Sequence, residues 1–329
     1  MMKPNDPNIS ASMLSALQNA NSILLCTHIS PDGDAIGATL AMGHALRAMG
    51  KRTLLACADP VPARLRLLPG ADAFVTAQAL ERAQYDAALA IDAADEGRLG
   101  DCAAFYFRAP VRLQIDHHPT NPLYAMENAV DGDAAAAGCV VYRALKKLGA
   151  AITPEIAQCL YCAISLDTGN FCFRNTTAEA FDIMAELMRS GLDIDTMARP
   201  LHLMREAPHV LLLGRALNTL RLFAGGKCAC MCLTAEDYRT AGALPEHSDG
   251  IVNYAINLPG VEMAYLADAR KREETKVSLR ATARYDVADI AARFGGGGHA
   301  MAAGCRIPMP LAAARAALEA EMRRRMEEA

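Results

Sequence analysis

The segment at residues 28–34, His-Ile-Ser-Pro-Asp-Gly-Asp, places one imidazole and two carboxylates within seven residues. It follows an apolar run at residues 22–27, a pattern typical of a buried strand. Imidazole and carboxylate groups bind divalent cations, and Asp32 and Asp34, two positions apart, can face two neighbouring ions. His28, Asp32 and Asp34 are therefore candidate metal ligands. The alternative for Asp34 is a structural role as the cap of the helix that follows.

A second strand-like run, residues 87–92, also ends in an acidic residue, Asp92. If this strand belongs to the same parallel sheet, Asp92 lies at the edge that carries the first loop, since ligands gather at the carboxyl ends of strands. A carboxylate at that position can bridge two metal ions. Asp95 and Arg98 follow in the next turn, where they could orient Asp92 or bind phosphate. A solvated turn is the alternative for both residues.

A third strand-like run, residues 112–116, ends in Asp116 and is followed by His117 and His118. Adjacent histidines at the end of a strand approach a metal ion and a substrate at different angles. Asp167 comes later, in the run Asp-Thr-Gly-Asn-Phe after an apolar helix, and a C-terminal helix turn is its alternative role.

The candidate ligands are oxygen and imidazole groups without thiolates, a set that favours Mn²⁺, Mg²⁺, Fe²⁺ or Co²⁺ over structural zinc. Two such ions a few ångströms apart suit phosphoester hydrolysis, because they activate water and stabilise the charge that develops on phosphorus.

The first half of the chain alternates between strands and helices, which indicates parallel βαβ units. Strands are predicted at residues 22–27, 53–57, 87–92 and 112–116, and helices after Asp34 and at residues 134–148, 154–166 and 177–190. The second half has a different pattern. Two hairpins are predicted there (219–223 with 228–233, and 261–269 with 276–282), followed by helices at 286–294 and 310–328. This half is predicted to form a smaller α+β domain.

Composition limits the class of protein. A chain of 329 residues suggests two domains, and 52% hydrophobic residues exclude a disordered chain. The net charge of −4 argues against a general nucleic-acid coat or an anionic-membrane binder. The first ten residues show no apolar targeting core and no apolar run approaches a membrane span, so we expect a cytoplasmic protein. The eleven cysteines, including Cys159 and Cys162, are expected to be buried thiols.

Four consecutive glycines precede His299 in the second half. Their backbone N–H groups could approach a phosphate closely and form an anion-binding nest, and a flexible linker is the alternative. Residues 270–293 carry seven basic and four acidic side chains, which makes this region locally positive in an acidic chain.

These elements, in this order, resemble the DHH phosphoesterase superfamily, named for the Asp-His-His triplet at 116–118. The second half resembles its DHH-associated domain, with the glycines and His299 followed by Ala-Ala-Gly at 302–304. Within the superfamily the sequence is most similar to the nano-RNase and pAp phosphatase subgroup, in length, in the Asp-Thr-Gly-Asn-Phe run and in Val-Ser-Leu-Arg at 277–280. The resemblance implies an α/β fold: a Rossmann-like parallel-sheet DHH domain (1–190), a linker (191–215) and a smaller α+β DHH-associated domain (216–329), with a cleft between the domains.

The resemblance also implies roles for individual residues, with two Mn²⁺ ions as cofactors and Mg²⁺ or Co²⁺ as alternatives. His28, Asp32 and a bridging Asp92 would hold one ion. The other would be held by Asp34, Asp92, His117 and Asp167. Asp116 would support the cluster, and His118 would contact the phosphate or the leaving group. The implied substrate-binding residues are Arg98, Arg280, Gly295, Gly296, Gly297, Gly298 and His299.

The implied activity is hydrolysis of very short nucleotides: RNA of about two to five residues, linear dinucleotides such as pApA and pGpG, and pAp, which yields AMP. A cyclic-dinucleotide phosphodiesterase acting on cyclic di-AMP is an alternative, and an inorganic pyrophosphatase is a third hydrolase. A non-catalytic nucleotide-binding protein is the alternative of another class. A long-strand exonuclease is disfavoured because aromatic residues make up only 5% and Trp is absent. No obligate protein partner is evident, and a homodimer is left open.

Overall fold

The computed structural model describes residues 9–328. Residues 1–8 lie outside this range, and they make up most of the N-terminal segment for which the sequence predicted no targeting signal. The chain divides into two compact units, Met1–Met204 and Arg205–Ala329. Within the described range, no helix combines the length and the apolar character needed to cross a membrane.

The first unit is built on a six-stranded sheet whose paired strands are all parallel. Its strands are β1 (Ser22–Cys26), β2 (Arg52–Ala56), β3 (Phe74–Val75), β4 (Ala87–Ile91), β5 (Val111–Asp116) and β6 (Glu127–Val130). Its α-helices are α1 (Ala11–Asn19), α2 (Gly33–Ala48), α3 (Ala103–Arg108), α4 (Ala137–Lys147), α5 (Pro154–Asp167), α6 (Ala178–Arg189) and α7 (Ile194–Ala198). The parallel α/β fold predicted from the sequence is therefore confirmed.

The strand order, β3-β2-β1-β4-β5-β6, places β1 beside β4, so the order reverses between these two strands. At such a switch point, ligands bind in the crevice outside the carboxyl ends of the strands. Every residue of β1 and of β4 is buried, which explains why both appear in the sequence as continuous apolar runs.

Helices α2 and α5 cross closely beside this edge of the sheet. A Cβ atom built on Gly37 of α2 would lie 2.4 Å from the backbone oxygen of Cys159 on α5, so the contact requires glycine at this position. The crossing brings the N-terminal end of α2 near the C-terminal end of α5. These two helix ends carry Asp34 and Asp167.

The second unit contains a six-stranded mixed sheet in the order β11-β12-β10-β9-β8-β7. Its strands are β7 (Arg221–Phe223), β8 (Cys228–Thr234), β9 (Met263–Lys271), β10 (Glu274–Ala281), β11 (Gly297–His299) and β12 (Ala302–Ile307). Its α-helices are α8 (Ala207–Leu217), α9 (Ala235–Ala241), α10 (Asn253–Ile256), α11 (Val287–Arg293) and α12 (Leu311–Glu327). Both predicted hairpins are confirmed as the antiparallel pairs β7–β8 and β9–β10, whereas β8 and β9 pair in parallel.

Two segments differ in local structure from what the sequence suggested. The stretch 191–215, predicted as the linker, is largely helical: it contains α7, a π-helical turn at Arg199–Leu203 and most of α8. The second half of the glycine run is a strand: Gly297–His299 forms β11 and pairs with β12. The run is therefore neither an anion-binding loop nor a flexible linker along its whole length. A Cβ atom on Gly296 would lie 2.2 Å from the backbone oxygen of Gly304, so close pairing with β12 explains a glycine there.

All eleven cysteines are free thiols, and ten of them are buried as predicted. Cys172, which follows α5, is exposed, so the prediction is wrong for this residue. Cys159 and Cys162 are buried in α5. Cys228, Cys230 and Cys232 alternate along β8 and pack into the core of the second unit.

Candidate metal centre

Six of the predicted ligands converge at the carboxyl edge of the first sheet. Each is supplied by the end of a strand or helix: His28 by the loop after β1, Asp32 and Asp34 by the N-terminus of α2, Asp92 by the residue after β4, His117 by the residue after β5, and Asp167 by the last turn of α5. Their side chains form overlapping clusters of possible metal ligands. Each of these side chains directly follows a strand or stands at a helix end, which is the pattern by which the sequence analysis selected it.

The first cluster contains His28, Asp32 and Asp92. The Nε2 atom of His28 lies 3.8 Å from Oδ1 of Asp32 and 3.5 Å from Oδ2 of Asp92. Two atoms that each lie about 2.1 Å from one ion are separated by about 3.0–3.6 Å when they subtend 90–120° at the ion. The observed separations are at or just above this range, as expected for atoms that face a common cation.

The second cluster is centred on His117. Its Nε2 atom lies 3.8 Å from Oδ2 of Asp34, 3.6 Å from Oδ1 of Asp92 and 3.8 Å from Oδ2 of Asp167. Asp92 therefore directs one carboxylate oxygen towards His28 and the other towards His117. A carboxylate oriented in this way could be shared by two ions.

The Asp92 carboxylate shows that the residues present fit such a pair of ions. Asp92 is buried, and its Oδ1 atom has no hydrogen-bond partner among residues 9–328. A buried carboxylate oxygen without a partner is costly, and a cation at this point would satisfy it. Asp92 also has a left-handed φ of 57°, which few residues other than glycine adopt and which marks a strained position.

Both histidines are oriented as metal-binding histidines usually are. Nδ1 of His28 lies 2.7 Å from the backbone oxygen of Ile29, and Nδ1 of His117 lies 3.4 Å from that of Ala134. With Nδ1–H donating to a carbonyl, Nε2 is the ring nitrogen that faces the carboxylates and would be the one to bind a cation. Arg98 also approaches Nδ1 of His28, at 2.9 Å, but that nitrogen cannot accept a hydrogen bond while it donates to Ile29.

Asp34 is held in place by the N-terminus of α4. Its carboxylate accepts hydrogen bonds from the backbone N–H groups of Ala137 and Gly138, at 2.5 and 2.8 Å. The alternative considered for Asp34, the helix cap, is wrong: Asp32 is the N-cap of α2, and its Oδ1 accepts from the N–H groups of Asp34 and Ala35.

The acidic groups perturb one another because they are buried together. Burial, reinforced by the neighbouring carboxylates, raises the pKa of Asp34 well above its usual range. Burial likewise raises the pKa of Asp92, and that of Asp167 to about 6. Burial alone would lower the pKa of His28, but the neighbouring carboxylates of Asp32 and Asp92 outweigh it and raise the pKa to about 10. The cluster is thus short of positive charge, which divalent cations supply.

Asp116 faces His118 and not a metal cluster. Its Oδ1 accepts a hydrogen bond from Nδ1 of His118 at 2.9 Å, and its other oxygen accepts one from Asn121. The hydrogen bond to Asp116 raises the pKa of His118. The Nδ1 atom of His118 also lies 3.7 Å from Oδ1 of Asp92, so this imidazole stands at the edge of the centre.

Two residues beside the candidate metal centre were not identified from the sequence. Asn121 donates to Asp116, and the Nδ2 atom of Asn175 donates to Oδ2 of Asp167 at 3.2 Å. Both lie on loops without a motif of their own. The only available signal was their position, five residues after Asp116 and eight residues after Asp167.

The remaining predicted residues belong to the second unit, apart from Arg98. Arg280 of β10 pairs in register with Ala302 of β12, which pairs with His299 of β11. Paired residues on antiparallel strands project from the same face of a sheet, so Arg280 and His299 flank Ala302 on one face. Nε of Arg280 donates to the side chain of Asn253 at 3.2 Å, and among residues 9–328 no carboxylate forms an ion pair with it. Gly297 and Gly298 lie on β11, and Gly295 adopts a left-handed φ of 72° before it.

Both units of the chain match known protein families. Residues 22–164 match the DHH family, N-terminal domain, and residues 229–328 match the DHHA1 domain. The chain is 36% identical to the "Bifunctional oligoribonuclease and PAP phosphatase NrnA" of Thermus thermophilus, over 87% of this chain and 84% of that protein. It is 25% identical to the Bacillus subtilis protein of the same name, over 87% and 90%. An exopolyphosphatase-related protein from Bacteroides fragilis has the same fold, with a TM-score of 0.84 at 24% identity over 93% of this chain and 92% of that one.

Proposed function

Because the chain belongs to the DHH/DHHA1 phosphoesterase family, we propose that it hydrolyses phosphoester bonds in very short nucleotides. The proposed substrates are RNA of about two to five residues, linear dinucleotides such as pApA and pGpG, and pAp. Mn²⁺ is the proposed cofactor, at two sites that share Asp92. The names of the relatives from Thermus thermophilus and Bacillus subtilis support the substrate class.

The observation that carries the proposal is the position of the two Asp92 oxygens, 3.5 Å from Nε2 of His28 and 3.6 Å from Nε2 of His117. A carboxylate shared in this way would hold two ions a few ångströms apart. Such a pair of ions supplies a water of lowered pKa and stabilises the charge that develops on a phosphoryl group.

The other residues of the first unit position the substrate and move the proton. His118 is held through Nδ1 by Asp116, which leaves Nε2 to donate a proton to the leaving oxygen. Arg98 lies beside His28 and forms no ion pair with any described carboxylate, so its guanidinium can bind a phosphate oxygen. These roles are consistent with small substrates, because they provide few phosphate contacts.

The second unit is proposed to bind the nucleotide. Arg280 is half-buried, and no carboxylate of the described chain forms an ion pair with it. Burial lowers its pKa, so an anionic ligand would complete its environment. His299 stands on the same face of the sheet. The N–H groups beside the left-handed turn at Gly295 are further candidates for phosphate contact.

The proposal is tested with a substrate panel at saturating Mn²⁺. Initial rates are measured on pAp, pApA, pGpG, cyclic di-AMP and sodium pyrophosphate, with and without a chelator. Chelator-sensitive turnover of pAp and the linear dinucleotides is expected, with cyclic di-AMP and pyrophosphate much slower. Preference for cyclic di-AMP would replace the proposal by the cyclic-dinucleotide alternative. Binding of these nucleotides without any turnover would favour a non-catalytic role.

A further inference from the structure

The chain immediately after Asp167 adopts an unusual conformation. Gly169, Asn170 and Phe171 are all left-handed, with φ values of 56°, 56° and 64°. For residues with a Cβ atom this conformation costs about 1–2 kcal/mol each. It is held by hydrogen bonds from the N–H of Asn170 to the oxygen of Ser165 (2.6 Å) and from the N–H of Phe171 to the hydroxyl of Thr168 (3.1 Å). Such strain persists where the surrounding structure fixes it, often at a functional site.

This segment, residues 168–175, which we call the Asp167 loop, folds back onto the metal centre. Asn175 donates to the backbone oxygen and to Oδ2 of Asp167, at 3.1 and 3.2 Å. The ring of Phe173 lies directly over Gly169, where a Cβ atom would stand 2.4 Å from it. The loop therefore places Phe173 close to Asp167, a proposed metal ligand. Phe173 is not itself a ligand.

The Asp167 loop presents an aromatic ring and a cation to solvent. Phe173 is 60% exposed although it is among the most hydrophobic residues of the chain. The next residue, Arg174, is also exposed and forms no ion pair with any carboxylate of residues 9–328. An exposed phenyl ring forgoes the stability that burial would give it, so a ligand that covers it would gain that energy. A ring next to a guanidinium suits a ligand with a flat aromatic face and a negative charge, the two features of a nucleotide.

We propose that the Asp167 loop is a nucleotide-binding subsite of the metal centre, in which Phe173 stacks on a nucleobase of the substrate and Arg174 contacts an adjacent phosphate. The proposal rests on the proposed function, because it takes the substrate to be a short nucleotide. It assigns base recognition to the first unit in addition to the contacts proposed for the second. Stacking on a phenyl ring does not distinguish the bases, so the subsite predicts similar use of pApA and pGpG.

The test compares Phe173→Leu with the wild type on two substrates: pApA and the same molecule with both nucleosides made abasic. Loss of base stacking should lower kcat/KM for pApA by about 5- to 100-fold. Hydrolysis of the abasic substrate should be the same in both proteins, because it has no base to stack. Phe173→Tyr, which keeps the ring, should retain the wild-type preference. Phe107→Leu is the matched control, since Phe107 is 37% exposed on α3, near the amino end of β5.

Mn²⁺ binding by calorimetry separates stacking from support of Asp167. Unchanged Mn²⁺ affinity in Phe173→Leu is expected. Equal losses on both substrates, or weakened Mn²⁺ binding, would show that Phe173 only shapes the loop and would overturn the proposal. If the wild type cleaves neither substrate, the proposed function fails. AMP binding is then compared: a weaker affinity in Phe173→Leu supports the subsite, and an equal affinity overturns it.

Discussion

Asp92 combines three features that each oppose stability: it is charged, buried and left-handed. Its Oδ1 atom has no hydrogen-bond partner in the described part of the chain. A residue with only a structural role would not need this combination. The proposed role between His28 and His117 would account for it, because a carboxylate shared by two ions would be withdrawn from water and turned out of the strand.

Asp92→Asn should therefore remove both metal sites together. Calorimetry should find no tight Mn²⁺ binding, whereas Asp32→Asn should lose one site and keep the other. Activity should fall at least about 100-fold, because the ions supply several kcal/mol of transition-state stabilisation. The metal-free variant should be at least as stable as the metal-free wild type, since a buried charge has been removed.

The control for this experiment is Asp72→Asn, which removes an exposed carboxylate from the same unit. It should bind Mn²⁺ as the wild type does. Two intact Mn²⁺ sites in Asp92→Asn would disprove the shared-carboxylate arrangement.

The sequence was most informative about the residues at strand ends. Asp92, Asp116 and His117 each terminate or directly follow an apolar run, so their type and their place in the fold could be inferred together. The cap of α2 was not predictable in this way, because Asp32 and Asp34 are both suitable caps and only the backbone geometry chooses Asp32.

At the level of elements, the crossing of α2 and α5 sets the distance between Asp34 and Asp167. Gly37→Ala should strain this crossing, because its Cβ would meet the backbone of α5. We expect the free energy of unfolding to fall by about 1–3 kcal/mol. Mn²⁺ affinity should weaken as well, since two ligands of the second cluster move apart. Chemical denaturation and calorimetry measure the two effects.

Gly214→Ala is the matched control, because Gly214 also lies within a helix but has open space around it. Its free energy of unfolding should rise by about 0.5–1 kcal/mol. If Gly37→Ala were equally stabilising, the close crossing would not be required.

Helix α12 provides a pH-dependent contribution to the second unit. Glu321 is buried and accepts hydrogen bonds from Arg324 (2.6 Å), Arg325 (3.1 Å) and Arg293 (3.1 Å). The hydrogen bonds from Arg324 above all lower the pKa of Glu321 from 4.5 to about 2. A carboxyl group with a lowered pKa stabilises the fold above pH 4.5, and this stability is lost as the pH falls towards 2.

Glu321→Gln should therefore be less stable than the wild type at pH 7, by about 1–2 kcal/mol once solvent screening of the arginines is allowed for. The difference should shrink as the pH is lowered from 5 to 3 in urea-unfolding experiments. Glu328→Gln, which removes a more exposed partner of Arg324, should have little effect at any pH. A pH-independent difference for Glu321→Gln would mean that the ion pairs do not cause it.

Among the elements that the sequence did not predict are short strands without an apolar run. β3 has two residues, and β6, Glu-Asn-Ala-Val, buries only Ala129, so neither shows an apolar run. The glycine run forms a strand because β12 lies beside it, a long-range contact that composition does not report. The four main strands of the first sheet were predicted to within one residue at each end, and two of them, β1 and β4, are buried along their whole length.

On the scale of the whole molecule, a net charge of −4 allows only local attraction for nucleotides. With few phosphate contacts, KM should depend only weakly on salt. For each contact, log KM should rise by about 0.7 for every unit of the logarithm of the salt concentration. Arg280→Gln should raise KM for pApA and lower this slope by about 0.7. Mn²⁺ affinity should not change. Arg272→Gln, with the same charge change on a fully exposed turn, should leave KM and slope unaltered. Similar slopes in all three proteins would exclude Arg280 from phosphate binding.

The dependence of rate on RNA length tests the proposed function most directly. Initial rates with Mn²⁺ are measured on RNA of two, three, five and about 24 residues, at equal concentrations of ends. Each additional nucleotide needs its own cationic or stacking contact, and the few proposed here serve only a short substrate. We expect the rate per end to fall steeply beyond about five residues. Comparable turnover of the 24-residue RNA would contradict the short-nucleotide assignment and indicate an exonuclease acting on long strands.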